Sequence, residues 1–257
     1  MINKRIVCFL LFGFLNLSFT KTIIISDFDD TIKRTNAGSI VPMIFNSTMT
    51  KRVFWGMPTL YKNMIKNEDD RLYIITGSPN IVRKRIFKLL KKYKIKLKSK
   101  KDLITRHLIK EKNTAKYKEK NIRKIITKNG RNGVRYIFVG DNVGKDPFVY
   151  NRVKKSLPNV DISIYIHKVK PEEKYPGDFN YYYSSLGLAS YIAEESLFSK
   201  LVRIFRQSLR NIKLKRVFPK YSVCPSPYKI SNSRGHDLSS IEFWITRKCE
   251  ERNGKNG

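Results

Sequence analysis

Three clusters of polar residues each stand directly behind an apolar, β-branched run. Asp27-Phe-Asp29-Asp30-Thr31 follows Lys21-Thr-Ile-Ile-Ile-Ser26. Side chains alternate along a strand, so Asp27 and Asp29 leave it on the same side. Two carboxylates held that close repel unless a cation or a proton sits between them. One nucleophile and one acid/base around a metal ion is the chemistry such a pair can do. Thr76-Gly77-Ser78-Pro79 follows Arg71-Leu-Tyr-Ile-Ile75. The hydroxyl at the strand end and the N–H groups of a helix opening at Pro79 can donate to a phosphate oxygen. Ser78 can equally serve only as the helix cap. Gly140-Asp141-Asn-Val-Gly-Lys-Asp146-Pro147 follows Arg135–Val139; here Gly140 is expected to let the backbone turn sharply and Pro147 to open a helix. A fourth run, Asp161–Ile166, ends at His167, which has no evident partner and reads as structural.

Short β-branched runs of this kind are buried on both faces of a parallel sheet. In an open parallel sheet, ligands bind beyond the carboxyl ends of the strands, where all three clusters fall. Val82, Ile86, Leu89, Leu90 and Tyr93 recur at helical spacing and belong to the core. The fold class that results is α/β, a three-layer sandwich with an open parallel sheet. A helix is expected from Tyr183 to about Arg210, either packed on that domain or lying on a membrane, with packing the default. The last forty residues, with Pro219, Pro225 and Pro227, read as an extension without chemistry.

The chain has 257 residues, with 41% hydrophobic and 12% aromatic content, which can fill a core and excludes wholesale disorder. Three cysteines and three histidines exclude a disulfide-dense miniprotein or a Cys/His zinc module. The net charge of +32 suits polyanions: nucleic acid, anionic lipid headgroups or phosphate-bearing substrates. The competing reading is compositional, with most lysines simply solvated. Lys4 and Arg5 precede an apolar run from Ile6 to Leu17, with Ser18 and Thr20 spaced for a peptidase. Residues 1–20 are therefore expected to be a signal peptide or an N-terminal anchor, which places the protein outside the cell or in its envelope and disfavours a nucleic-acid partner. Cys224 and Cys249 would then sit in an oxidising compartment, either bridged or as two free thiols.

Taken in order, D-x-D-x-T, the strand-end Thr and G-D-x-x-x-x-D resemble the haloacid dehalogenase superfamily of phosphotransferases, with its Rossmannoid fold. Ser26–Lys33, Gly56-Met-Pro-Thr-Leu-Tyr61, Ser78-Pro79, Phe138–Asp141 and Asp146–Tyr150 resemble more closely the catalytic domain of actin-patch-type phosphatidate phosphatases, over roughly residues 22 to 168. That family removes phosphate from phosphatidic acid with Mg²⁺. The chain departs from it at Asn80, where an aromatic is usual, and at Asn142-Val143, where Ser-Gly is usual.

The resemblance implies Asp27 as the nucleophile forming an aspartyl phosphate and Asp29 as the acid/base. It implies Mg²⁺ on the Asp27 carboxylate, the Asp29 main-chain carbonyl and Asp141, with Asp146 reaching the metal through water or orienting a lysine. Thr76, Gly77 and Ser78 would bind the phosphoryl group together with one lysine. Lys118 suits that role because Ile122, Ile125 and Ile126 follow it on one helical face; Lys116 and Lys120 are the alternatives. The expected organisation is a phosphatase domain over 21–196, with a small insert at about 33–70 in the superfamily's cap position, and a basic, helical extension over 197–257.

The insert contains Val41–Phe45, a Phe54-Trp55-Met57 cluster that reads as core or as a lipid-dipping patch, and a helix near Thr59–Ile65. Residues 84–120 and 199–257 carry net charges of +13 and +10, fit for an anionic membrane surface. The expected activity is hydrolysis of phosphatidate or a related lipid phosphate. Hydrolysis of a soluble or nucleic-acid phosphate ester, or an inert polyanion-binding protein, are the alternatives.

Overall fold

A computed structural model describes residues 21–36, 52–171 and 175–254. Six parallel strands form one sheet: β1 (Lys21–Ser26), β2 (Arg71–Pro79), β3 (Leu103–Arg106), β4 (Val134–Asp141), β5 (Asp161–His167) and β6 (Asn180–Tyr182), in the order β3-β2-β1-β4-β5-β6. The chain runs outward from β1 to β3, returns to pair β4 with β1, and continues outward to β6. The strand order thus reverses between β1 and β4, the place where such sheets leave a crevice at their carboxyl edge.

Alternation decides which helix layer each strand residue meets. Ile24, Leu72, Ile74, Ile137 and Val139 face one apolar cluster with α1 (Met57–Met64), α2 (Arg83–Lys92), α5 (Ser185–Ile192), α6 (Glu195–Ser208) and α8 (Ser239–Gly254). Ile23, Ile25, Tyr73, Ile75, Tyr136 and Phe138 face a second cluster with α3 (Thr114–Asn129) and α4 (Asp146–Lys155). Burial on both faces is worth about 1.5–3 kcal/mol per large side chain, which is why these runs carry no polar alternation. The three-layer α/β architecture matches the expectation.

Several local expectations change. The two short edge strands, β3 and β6, are additions to the four strands expected. The helix expected from Tyr183 to Arg210 is two, because Ala193 and Glu194 are extended. The break is held from far along the chain: the Arg234 guanidinium donates to the carbonyls of Ser190 (2.8 Å) and Ala193 (2.5 Å) at the end of α5. Asn232 Nδ2 also donates to Ser190 O (3.2 Å), so the same distant segment satisfies carbonyls that a helix terminus leaves open.

The division expected at 196/197 falls inside α6, whose Leu197, Phe198, Leu201 and Phe205 belong to the same core as Ile24 and Leu72. A short helix, α7 (Leu214–Val217), and α8 continue that layer, and Cys224 is bonded to Cys249 of α8. Phe54 and Met57 are buried, and Trp55 packs edge-on against Phe205 with ring centroids 4.4 Å apart, so this cluster is core and not a lipid-dipping patch. Gly56 precedes α1 at φ 78°, and a Cβ there would lie 2.2 Å from Ser185 Oγ. Only glycine meets both demands. Residues 1–20 and Val41–Phe45 lie outside the described residues, and no described helix is long and apolar enough to cross a membrane.

Candidate active site

The site is assembled at the carboxyl ends of β1, β2 and β4. Asp27 follows β1, and its N–H donates to Val139 O of β4 (2.8 Å), which fixes the departing chain against its neighbour. Asp141 ends β4. Its Oδ1 accepts the N–H groups of Val143 (2.7 Å) and Gly144 (3.1 Å), and its Oδ2 faces Thr31 Oγ1 at 3.4 Å. Asp146 begins α4. Carboxylate oxygens of Asp27, Asp141 and Asp146 all lie within 4.8 Å of one another, and all three residues are buried.

Gly140 explains how Asp146 comes so close. A Cβ at 140 would meet Asp146 Oδ2 at 2.6 Å and Tyr150 Cε2 at 2.8 Å. Gly140 lies inside β4, so its contribution is clearance for α4 against the strand and not the sharp turn expected of it.

Lys118 supplies the cation. It is buried on α3, and its Nζ donates to Asp27 Oδ1 (2.7 Å) and Asp146 Oδ1 (2.5 Å). Lys116 and Lys120 are exposed, because Tyr117, Ile122, Ile125 and Ile126 set the phase of α3 toward the sheet. Burial disfavours the Lys118 ammonium, but the carboxylates of Asp146, Asp27 and Asp141 outweigh it and hold its pKa above the ordinary lysine value. Burial pushes Asp27 well above the usual carboxylate range; Lys118 opposes this, and the carboxylates of Asp146, Asp141 and Asp29 add to it. Burial and Asp146 push Asp141 up to about 7 against the pull of Lys118. Carboxylates outnumber the ammonium, and the surplus is relieved by protons or by a cation.

Asp29 is held apart from that cluster by β2. Thr76 Oγ1 (2.9 Å) and Ser78 Oγ (2.7 Å) both donate to Asp29 Oδ2, and the Ser78 N–H donates to Thr76 Oγ1 (3.0 Å). Ser78 therefore does not cap a helix; a turn of 3₁₀ helix, Asn80–Val82, separates β2 from α2. Asp29 Oδ1 is buried with no hydrogen-bond partner among the described residues. Gly77 sits between the two hydroxyl residues, where a Cβ would touch Thr114 Cγ2 at 3.3 Å.

The structure also brings in residues that the sequence reading did not single out. Asp30 Oδ1 accepts the N–H groups of Thr35 (2.8 Å) and Asn36 (3.0 Å) and the hydroxyl of Tyr221 (2.8 Å). Tyr221 belongs to the segment read as an extension without chemistry; it fastens that segment to the loop carrying Asp27 and Asp29. Lys33 is a second buried lysine, its pKa lowered by burial against the pull of Asp29 and Asp30. Asn142 Oδ1 accepts the N–H groups of Val169 (2.8 Å) and Lys170 (2.9 Å), so this departure from the family pattern clamps the chain leaving β5. Asn80, the other departure, accepts from Thr105 Oγ1 of β3. His167 lies with its Nδ1 2.8 Å from Asp30 O and its ring stacked on Tyr182; burial lowers its pKa, which suits the structural part expected of it.

Over residues 22–168 the chain matches the family model described as phosphatidate phosphatase APP1, catalytic domain. No curated protein matches it.

Proposed function

Because the chain belongs to the APP1-type phosphatidate phosphatase catalytic-domain family, which are phosphoric monoester hydrolases, we propose that it releases phosphate from phosphatidate or a related anionic lipid phosphate through an aspartyl-phosphate on Asp27. The observation that carries this reading is the buried meeting of Asp27, Asp141 and Asp146 around Lys118, with Asp29 beside them on two hydroxyls.

The donor set suits a hard divalent cation. Three carboxylates, with Asp27 and Asp141 raised by burial first and by their neighbours' charge second, supply only oxygen ligands, which is what Mg²⁺ takes. Asp27, Asp141 and Asp146 would hold it, and when bound it would offset charge on the phosphoryl oxygens. Asp27 attacks phosphorus as the bond to the alcohol oxygen breaks. Asp29 gives that oxygen its proton; Oδ1, which has no hydrogen-bond partner among the described residues, is the atom to carry it, while Oδ2 is occupied by Thr76 and Ser78. Asp29 then takes a proton from the water that frees phosphate from Asp27. Lys118 donates to the phosphoryl oxygens in the transition state, and Asp146 keeps it aimed.

Asp27→Asn tests the reading. Turnover should vanish on phosphatidate vesicles while the thermal melt stays cooperative; substantial retained activity removes the nucleophile. Parallel assays on a soluble phosphomonoester and on 3′-phosphorylated DNA separate the substrate classes. Preference for either would move the substrate away from lipid.

The Cys224–Cys249 bond supports a protein working in an oxidising compartment, as the signal-like first twenty residues also suggest. Fractionation of the tagged chain, with recovery in the cytosol as the contrary result, checks that location.

A further inference from the structure

Five large apolar side chains are exposed among the described residues: Ile81, Leu108, Ile109, Phe148 and Phe243. Parallel strands put all their carboxyl ends on one edge of the sheet, and four of the five follow directly from that edge. Ile81 lies just past β2, Leu108 and Ile109 just past β3, and Phe148 in the first turn of α4 beyond β4. Asp27 leaves β1, between β2 and β4 in the sheet. The segments that carry these apolar side chains therefore leave the sheet's carboxyl edge on both sides of β1. Ile81 is 87% exposed and Ile109 80% exposed, so neither is part of any core.

Cations accompany them. Lys84 is exposed on the first turn of α2, Lys110 and Lys112 are exposed beside Ile109, and Lys145 Nζ stands 5.5 Å over the Phe148 ring. Glu111, the carboxylate between Lys110 and Lys112, is engaged by the His107 N–H at 2.9 Å. Isolated exposed apolar residues are ordinary, but apolar tips interleaved with lysines around one opening match the interface of an anionic bilayer. Hydrocarbon takes the tips while the headgroups meet the ammonium groups.

Resting on the reading of the site as a lipid phosphatase, we propose that this rim docks the protein on an anionic lipid membrane, with Ile81, Leu108, Ile109 and Phe148 entering the bilayer interface and Lys84, Lys110, Lys112 and Lys145 binding headgroups. The substrate then reaches Asp27 without leaving the bilayer. The partner is the membrane surface itself, recognised by charge and apolar insertion, and not one headgroup held in a pocket.

Co-sedimentation with vesicles of phosphatidylserine in phosphatidylcholine tests the rim without involving the chemistry, since phosphatidylserine carries no phosphomonoester. The full chain should bind these vesicles, should bind pure phosphatidylcholine far less, and should dissociate as salt rises. Ile81→Ser with Ile109→Ser should weaken partitioning by roughly tenfold per side chain. Vesicle-phosphatidate hydrolysis should fall in parallel, with turnover of a soluble phosphomonoester unchanged. Lys110→Glu with Lys112→Glu should weaken binding in low salt and lose that effect in high salt. Serine variants that bind phosphatidylserine vesicles like the parent overturn the proposal, as does a parent chain that ignores such vesicles. Loss of soluble-ester turnover in the serine variant also overturns it, by tying those residues to the site. Normal vesicle binding by a parent that hydrolyses no ester supports the docking rim and removes the phosphatase reading.

Discussion

The Lys118 ammonium lies 2.7 Å from Asp27 Oδ1, and its second partner, Asp146 Oδ1, keeps it from following Asp27 alone. An ion triad this deep is costly to break from one side, because the remaining charges stay buried. Lys118→Met should lower turnover by about 10²–10³-fold through lost charge stabilisation. Without divalent cation it should also lower stability by about 3–5 kcal/mol near neutral pH. The loss should shrink in acid, where the carboxylates left behind take up protons. Denaturant melts at two pH values, alongside phosphate release, measure both effects.

The raised pKa of Asp141, about 7, gives the cation-free protein a definite pH slope. A carboxyl that binds its proton more tightly folded than unfolded stabilises the fold below its unfolded pKa of about 3.9 and loses that contribution as pH rises through about 7. Asp27 is displaced in the same direction. His167, with a lowered pKa, works oppositely, losing stability as pH falls below about 6.5. Its contribution is common to both metal states and cancels in their difference. The rise in melting temperature on adding Mg²⁺ should therefore be small near about pH 5 and grow toward about pH 8, as protons cease to compete for the carboxylates. A flat increment would separate Asp141 from the cation site.

Gly140→Ala places a methyl group 2.6 Å from Asp146 Oδ2 and 2.8 Å from Tyr150 Cε2. Overpacking of this kind costs about 1–3 kcal/mol, and here relief comes from shifting α4, which carries Asp146. The expected result is a lower melting temperature together with weaker Mg²⁺ activation, read from the metal dependence of turnover. An unchanged metal dependence would show that Asp146 holds its place independently of the clearance.

Tyr221 joins the C-terminal region to the loop that carries Asp27 and Asp29, through Asp30. Tyr221→Phe leaves the Asp30 carboxylate one donor short and should cost about 1–3 kcal/mol. Because Asp30 directly follows Asp29, phosphate release should also fall, with a greater effect on kcat than on KM. A purely local loss of stability, with normal kcat at low temperature, would argue that the loop keeps its shape without this tie.

Much of this arrangement is readable along the chain. Lys21–Ser26 and Arg135–Val139 are too apolar and too β-branched to be anything but inner strands, and polar residues placed right after them must emerge at the sheet's carboxyl edge. The pattern by itself therefore puts Asp27, Asp29, Thr76 and Asp141 near one another at that edge. The edge strands were not legible: β3 has four residues in a lysine-rich stretch and is held by Asp102, which pairs with Arg71 (2.7 Å) and accepts the Ser99 N–H (2.8 Å). The end of α5 was hidden for a similar reason, since Leu186 to Phe205 keep a helical period across a break made by Arg234.

Tertiary packing decided the rest. Lys116, Lys118 and Lys120 are chemically identical, and only the rotation of α3 against the sheet turns the middle one inward. The reach of Tyr221 to Asp30 and of Lys118 to Asp27 joins segments far apart in the chain. Local pattern dictates which residues form strands and helices, because backbone geometry repeats over a few residues. Which of their side chains meet depends on how those elements settle against a shared core.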